Sequence, residues 1–147
     1  MVINSNSSTN PEVIDNFITK VDTELSRAKR YSIFVTMSVF DLSDILSSDE
    51  SSRVINSAEL IDIVRNQVRD IDYVSYINDN QLGVLLPETS RQGAEVVVKR
   101  VAEILKELLS KKVDFTINEH IPFEIASFPD AGGAKSINDF LNDWQEK

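Results

Sequence analysis

Apolar residues along this chain follow two rhythms, and the switches between them mark its elements. Ile14, Phe17, Ile18, Val21, Leu25 and Ala28 recur at helical spacing, so one face of a helix is buried down to about Lys29. Asn10 stands where a cap belongs, and Pro11 suits the first helical position. The run Tyr31 to Phe40 (YSIFVTMSVF) then crowds β-branched and aromatic side chains with little polar relief, which predicts a strand central in a sheet and ending at Asp41. Val54, Ala58, Ile61, Val64 and Val68 mark a second amphipathic helix ending near Arg69. Ala94, Val97, Val98, Val101, Ile104, Leu105 and Leu108 mark a third, entered through a Thr89/Gln92 capping box and closed by Lys111 and Lys112 against its C-terminal dipole. A last short helix is predicted over Ile137 to Trp144, with Trp144 covering the core edge.

Between the second and third helices lies RDIDYVSYINDNQLGVLLP, Arg69 to Pro87. Two β-prone runs, Tyr73 to Ile77 and Leu82 to Leu86, flank Asn78, Asp79, Asn80 and Gln81, a hairpin signal. Asn and Asp tolerate positive φ, so the turn is expected to close without glycine. Side chains at 78 and 79 keep that backbone farther from a phosphate chain than a glycine pair would. Two more strands are predicted at Val113 to Ile117 and Phe123 to Phe128. The order is helix, strand, helix, hairpin, helix, two strands, helix. That is a ferredoxin-like β-α-β-β-α-β core, an α+β fold with helices on one face of a mostly antiparallel sheet.

Composition narrows the function. The chain has 147 residues, 41% of them hydrophobic, enough for one domain that buries its own core over 10–147. The Ser/Asn-rich tract at 1–9 has too little apolar surface to offset ordering entropy and is expected to be a disordered tail. A net charge of -9 and a pI near 4.6 exclude nucleic acid and an anionic membrane surface as the main partner, while leaving room for a local basic pocket. The absence of cysteine removes disulfides and thiolate metal sites. No apolar run approaches membrane-spanning length and MVINSNSSTN lacks the features of a secretory signal, so the expected location is the cytoplasm. Ser43 to Ser52 reads as a solvated loop, and its acids Asp44, Asp49 and Glu50 lack the spacing and turn glycine of a calcium site. His120, the only histidine, reads as a surface loop residue.

Several runs, taken together, resemble the GGDEF domain, the catalytic domain of diguanylate cyclases. They are RAKR at 27–30, the strand closing on Asp41, RDID at 69–72, GVLLP at 83–87, VVVKRVAEIL within the third helix and IASFPD at 125–130. Their order and approximate spacing match from roughly Phe17 to Asp139. The resemblance implies a cyclase-type palm, in agreement with the element order. It also makes Pro122 and Glu124 departures from the family's usual strand, which suggests an irregular or edge strand there.

The family signature is replaced. Where Gly-Gly-Asp/Glu-Glu-Phe would stand, this chain has Asn78, Asp79, Asn80, Gln81 and Leu82. The resemblance implies chemistry in which two divalent cations held by acidic residues neutralise a triphosphate. Asp41 matches the first metal-binding aspartate, but it is vestigial: its partner across the hairpin is the amide Asn80, the next glutamate is Gln81, and a second aspartate is Ser43. The segment that holds guanine in the family is replaced by the glycine-free serine-rich loop, and the chain ends at Lys147, before the family's phosphate-contacting lysine. The expectation is a degenerate domain that is not an enzyme, with no catalytic residue, metal or cofactor. The rival is a shifted hairpin that brings Asp79 beside Asp41 and restores cyclase activity.

One family feature is retained. Arg69 and Asp72 form the Arg-x-x-Asp of the inhibitory site at which cyclic di-GMP binds, and Arg27 and Arg100 fall where further arginines complete it. Arginine forks bind phosphate and stack on guanine, while a carboxylate accepts from the guanine N1 and N2 donors. The plainer reading is a solvated helix face with an Asp72 ion pair of little worth to stability. Two functions follow: a regulatory module that binds cyclic di-GMP, a protein partner, or both; and, as the alternative, a ligand-independent interaction scaffold using the hairpin or a sheet edge. The partner's identity and homodimer formation stay open.

Overall fold

The computed structural model describes residues 11–43, 57–112, 120–130, 132–133 and 135–145. The tail predicted at 1–9, the acids Asp44, Asp49 and Glu50, the start of the second helix at Val54 and the strand expected at Val113 to Ile117 lie outside the described residues. The elements in order are α1 (Pro11–Tyr31), β1 (Val35–Asp41), α2 (Ser57–Arg65), β2 (Tyr73–Asn78), β3 (Gln81–Pro87), α3 (Arg91–Lys112), β4 (Phe123–Phe128) and α4 (Ile137–Gln145).

The four strands form one sheet in the order β2-β3-β1-β4. Every pairing is antiparallel, with Val35 opposite Pro87 and Phe128, and Asp41 opposite Gln81. This is the ferredoxin-like arrangement expected of the core. β1 lies inside the sheet, in keeping with its full burial from Val35 to Phe40, and β4 is an outer strand among those described.

Helices cover both faces of the sheet, not one. On the first face Val35, Met37, Val39 and Leu85 pack against Phe17, Val21, Leu25 and Ala28 of α1 and Ile137, Phe140 and Leu141 of α4. On the second, Phe40, Leu82, Val84 and Leu86 pack against Leu60 and Val64 of α2 and Ala94, Val98, Val101, Leu105 and Leu109 of α3. The reason is the two-residue period of a strand: apolar residues at successive positions of β1 and β3 cannot all face one layer. The helices outside the β-α-β-β-α-β core supply the second cover. Thr36 and Ser38, buried on β1, donate from their hydroxyls to the carbonyl oxygens of Thr89 (2.7 Å) and Glu124 (2.9 Å). Trp144 is half-buried against Phe17 and Phe140, at the core edge where it was expected.

Local chemistry moves several boundaries. The strand predicted from Tyr31 starts only at Val35, because α1 runs on to Tyr31 and ends in a left-handed Ser32 (φ 56°), with Ile33 N donating back to Ala28 O at 3.0 Å. α2 stops at Arg65, short of Arg69, and Gln67 N and Val68 N close tighter turns onto Val64 O and Arg65 O. The cap of α3 is Ser90, whose Oγ accepts from Gly93 N at 3.2 Å; Thr89 is engaged elsewhere. α4 opens with a reciprocal Ser136/Asp139 capping box that the sequence reading passed over.

Candidate functional site

The two ends of the sheet carry different chemistry. At the hairpin end Asn78 and Gln81 belong to the strands and pair, so the turn itself is only Asp79 and Asn80. Positive φ is not what closes it: among the described residues with side chains only Ser32 and Glu88 lie in the left-handed region. Instead Asn78 Oδ1 accepts from Asn80 N at 2.9 Å, and the register shifts between Tyr76 and Asn78, as at a bulge, where a strand bends. The hairpin is tied to the end of β1 through Leu42 N, which donates to Asn80 O at 2.7 Å.

A cleft of about 420 Å³ at this end is lined by Asp41, Ser43, Asn78, Asp79, Asn80 and Gln81. Several of its polar groups are bonded to one another. One carboxylate oxygen of Asp41 accepts from both Ser43 N (2.9 Å) and Ser43 Oγ (2.7 Å). The amide of Asn78 donates to Gln81 Oε1 at 2.8 Å, so each amide oxygen at positions 78 and 81 already has a donor. Two hard divalent cations require several convergent carboxylates. Among the described residues the donors do not fit that demand: Asp41 faces Gln81 across the ladder, and no group of three or more His, Cys, Asp or Glu able to hold a metal ion gathers there.

The opposite end gathers the arginines. Asp72 has only 3% of its side chain exposed and is gripped by Arg69, which donates from its backbone N (2.8 Å), from Nε (3.3 Å) and from Nη2 (3.0 Å). The same Nη2 reaches Pro87 O at 2.6 Å and Thr89 Oγ1 at 2.7 Å. Arg69 is therefore a clamp between the turn before β2 and the turn after β3. The pair differs from the solvated ion pair expected of a helix face, because its acid is buried and its cation bonds across the fold.

Arg27 comes from the last turns of α1 to the same corner, donating to Glu88 at 2.9 Å and lying 3.4 Å from Glu24. The Glu88 carboxylate raises the Arg27 guanidinium above its ordinary pKa, chiefly through the hydrogen bond, with desolvation opposing it and the charges of Glu88 and Glu24 adding to it. Glu88 itself has φ 55°, a backbone region that a residue with Cβ rarely takes. Arg100 donates from α3 to Gln67 O at 2.7 Å, bracing the turn that presents Arg69. Of the four residues expected to bind a dinucleotide, Arg27, Arg69 and Asp72 thus meet around Pro87–Thr89, and Arg100 supports them through Gln67. Sequence reasoning missed Glu88 and Thr89, for which only the position just after Pro87 gave a signal. His120 is exposed and lies 4.0 Å from Glu103, in keeping with a surface loop residue.

No helix among the described residues is long and apolar enough to cross a membrane. No family model and no curated protein sequence matches the chain. Solved structures do. The active GGEEF domain of a diguanylate cyclase from Vibrio cholerae aligns with a TM-score of 0.61 and 16% identity, over 90% of this chain and 85% of that one. Diguanylate cyclase SiaD of Pseudomonas aeruginosa, solved with its activator SiaC, aligns with a TM-score of 0.63 and 18% identity over 90% of this chain; the match spans 54% of SiaD. The GGDEF domain of DgcB from Caulobacter crescentus, solved in complex with cyclic di-GMP, aligns with a TM-score of 0.58 and 8% identity, over 88% of this chain and 76% of that one. The four-stranded antiparallel sheet with its helices is accordingly the cyclase palm of GGDEF domains, carried here on a sequence that keeps fewer than one residue in five of those structures.

Proposed function

We propose that this chain is a catalytically silent signalling module of GGDEF fold that binds cyclic di-GMP at the corner formed by Arg27, Arg69 and Asp72. The observation that carries the reading is that guanidinium groups from α1 and from the α2–β2 turn reach one loop, Pro87–Thr89, Arg27 through Glu88 and Arg69 through Pro87 and Thr89, with the buried Asp72 held by Arg69. Two forks and an acid are what a guanine-bearing phosphodiester requires. A protein of the same fold, DgcB, is known with that ligand bound.

Arg27 is the informative residue to remove, since its pair with Glu88 is exposed, whereas loss of Arg69 leaves a buried acid without its clamp. Calorimetry with cyclic di-GMP is expected to give saturable binding that Arg27→Ala weakens by about tenfold or more, the effect of losing a charge-assisted fork. Absence of heat at high protein concentration removes the receptor reading. Silence at the other end rests on the mutually bonded Asn78 and Gln81 amides and on the engagement of Asp41 by Ser43. With GTP and magnesium or manganese, the protein is expected to form no cyclic di-GMP; product whose appearance depends on Asp41 would overturn that part.

A second reading draws on how firmly Arg69 is held, its Nη2 already serving Asp72, Pro87 and Thr89. A corner that rigid suits a ligand-independent scaffold, and a protein of this fold, SiaD, is known in complex with a protein activator. A partner captured equally with and without the dinucleotide selects the scaffold; one captured only in one state selects the receptor.

A further inference from the structure

We infer that Glu88 is a built-in counter-anion of the arginine corner, holding the Nη2 prong of Arg27, whose Nη1 lies 3.4 Å from Glu24, in the place a ligand phosphate takes, and so sets how much negative charge a ligand must bring to enter. This rests on the receptor reading and concerns the control of that site. Three independent features of the structure point to it. Glu88 Oε2 lies 2.9 Å from Arg27 Nη2, the separation of a charge-assisted hydrogen bond. The residues on either side of it, Pro87 and Thr89, both accept from Arg69, so the carboxylate is carried by the very segment around which the second guanidinium is fixed. And the backbone at Glu88 has φ 55°, a conformation that a glycine or asparagine takes at lower cost, yet the residue here is an acid.

The pair is built to exchange. About half of each side chain is exposed, 42% for Arg27 and 49% for Glu88, so water and salt weaken the contact and a competing anion can reach it. Arg69 is different. Its four side-chain contacts link two turns, and it presents charge to the corner without giving up its partners. A ligand with one weakly held negative charge gains little by replacing a carboxylate that is already in place. A phosphodiester that engages Arg27 while its base stacks or bonds at the Arg69–Asp72 edge gains a second contact that Glu88 cannot match. The inference therefore restricts the ligand to molecules with a phosphate and a base together, and makes inorganic phosphate or nucleoside alone poor competitors.

A double-mutant cycle read by calorimetry with cyclic di-GMP tests this, using wild type, Glu88→Gln, Arg27→Ala and the double variant. Glu88→Gln keeps the size and backbone class of the residue and removes only the charge. The expected result is a gain in affinity of about two- to fivefold in the wild-type background, the size of an exposed ion pair, and no gain when Arg27 is absent. A gain of equal size in both backgrounds overturns the inference, because it marks a general charge effect, and so does no gain in either. Both of those outcomes leave the receptor reading standing. Binding by Glu88→Gln with none by wild type supports the inference in its strongest form; no binding by any of the four proteins removes the inference and the receptor reading together. Glu88→Gly, which also relieves the left-handed backbone, serves as the second variant and is expected to gain at least as much as Glu88→Gln.

Discussion

Ser32 and Glu88 share the left-handed backbone region, and comparing them separates folding from function. Ser32 ends α1 and closes its last turn through the Ile33-to-Ala28 hydrogen bond, and its side chain is not among those that build the corner. Glycine at that position loses the Cβ penalty and keeps the geometry, so Ser32→Gly is expected to stabilise the protein by about 0.5–1 kcal/mol in urea unfolding, with dinucleotide binding unchanged. A destabilised Ser32→Gly would show that the hydroxyl holds the loop. Neither residue announces this conformation in the sequence: YSIF reads as strand and LPETS as a helix entry. The Arg69–Asp72 pair was legible as a spacing. Its strength was not, since the acceptors that turn it into a clamp, Pro87 O and Thr89 Oγ1, lie 18 and 20 residues along the chain. Contacts of that range depend on the fold and leave no local mark.

The seat of α1 on the sheet shows what periodicity can and cannot reveal. Its stripe Phe17, Val21, Leu25 and Ala28 was readable and is buried to within 3% exposure. Which face of the sheet the stripe covers was not readable, and the expectation of a one-sided sheet failed because nothing local says that β1 and β3 alternate between two layers. Gly83 fixes the seat. A Cβ there would lie 2.6 Å from Cζ of Phe17, whose ring also stacks on Tyr73 at 6.0 Å and meets Trp144 edge-on at 5.8 Å. Gly83→Ala is expected to push the ring off its site and cost about 1–3 kcal/mol, as overpacking of a filled core does. The discriminating measurement is rescue: Phe17→Leu in the Gly83→Ala background should recover part of the loss, although the same change alone destabilises. Failure of rescue would place the cost of Gly83→Ala in the strand backbone and not in the helix seat.

The hairpin cleft and the arginine corner stand at opposite ends of β3, whose seven residues put about 20 Å between them. That separation makes the two halves of the proposed function independent. On the proposed reading, a cyclase hairpin of this fold would have to gather metal-binding acids, and what stands in their place is distributed: Asn80 and Gln81 on the hairpin, Ser43 after β1, and side chains at 78 and 79 where close backbone approach needs none. Restoring the hairpin alone, with Asn78→Gly, Asp79→Gly, Asn80→Asp and Gln81→Glu combined, returns two acids opposite Asp41 but leaves Ser43 bonded to it. The expected outcome is a protein that takes up manganese, detected by calorimetry, yet forms no cyclic di-GMP from GTP. Its affinity for cyclic di-GMP should equal that of wild type, because no substituted residue touches Arg27, Arg69 or Asp72. Turnover by this variant would show that the hairpin carried the whole deficit and that the rest of a working nucleotide site persists. A changed dinucleotide affinity would instead reveal that β3 couples the two ends, which the rigid, doubly covered strand and the local character of both sites argue against.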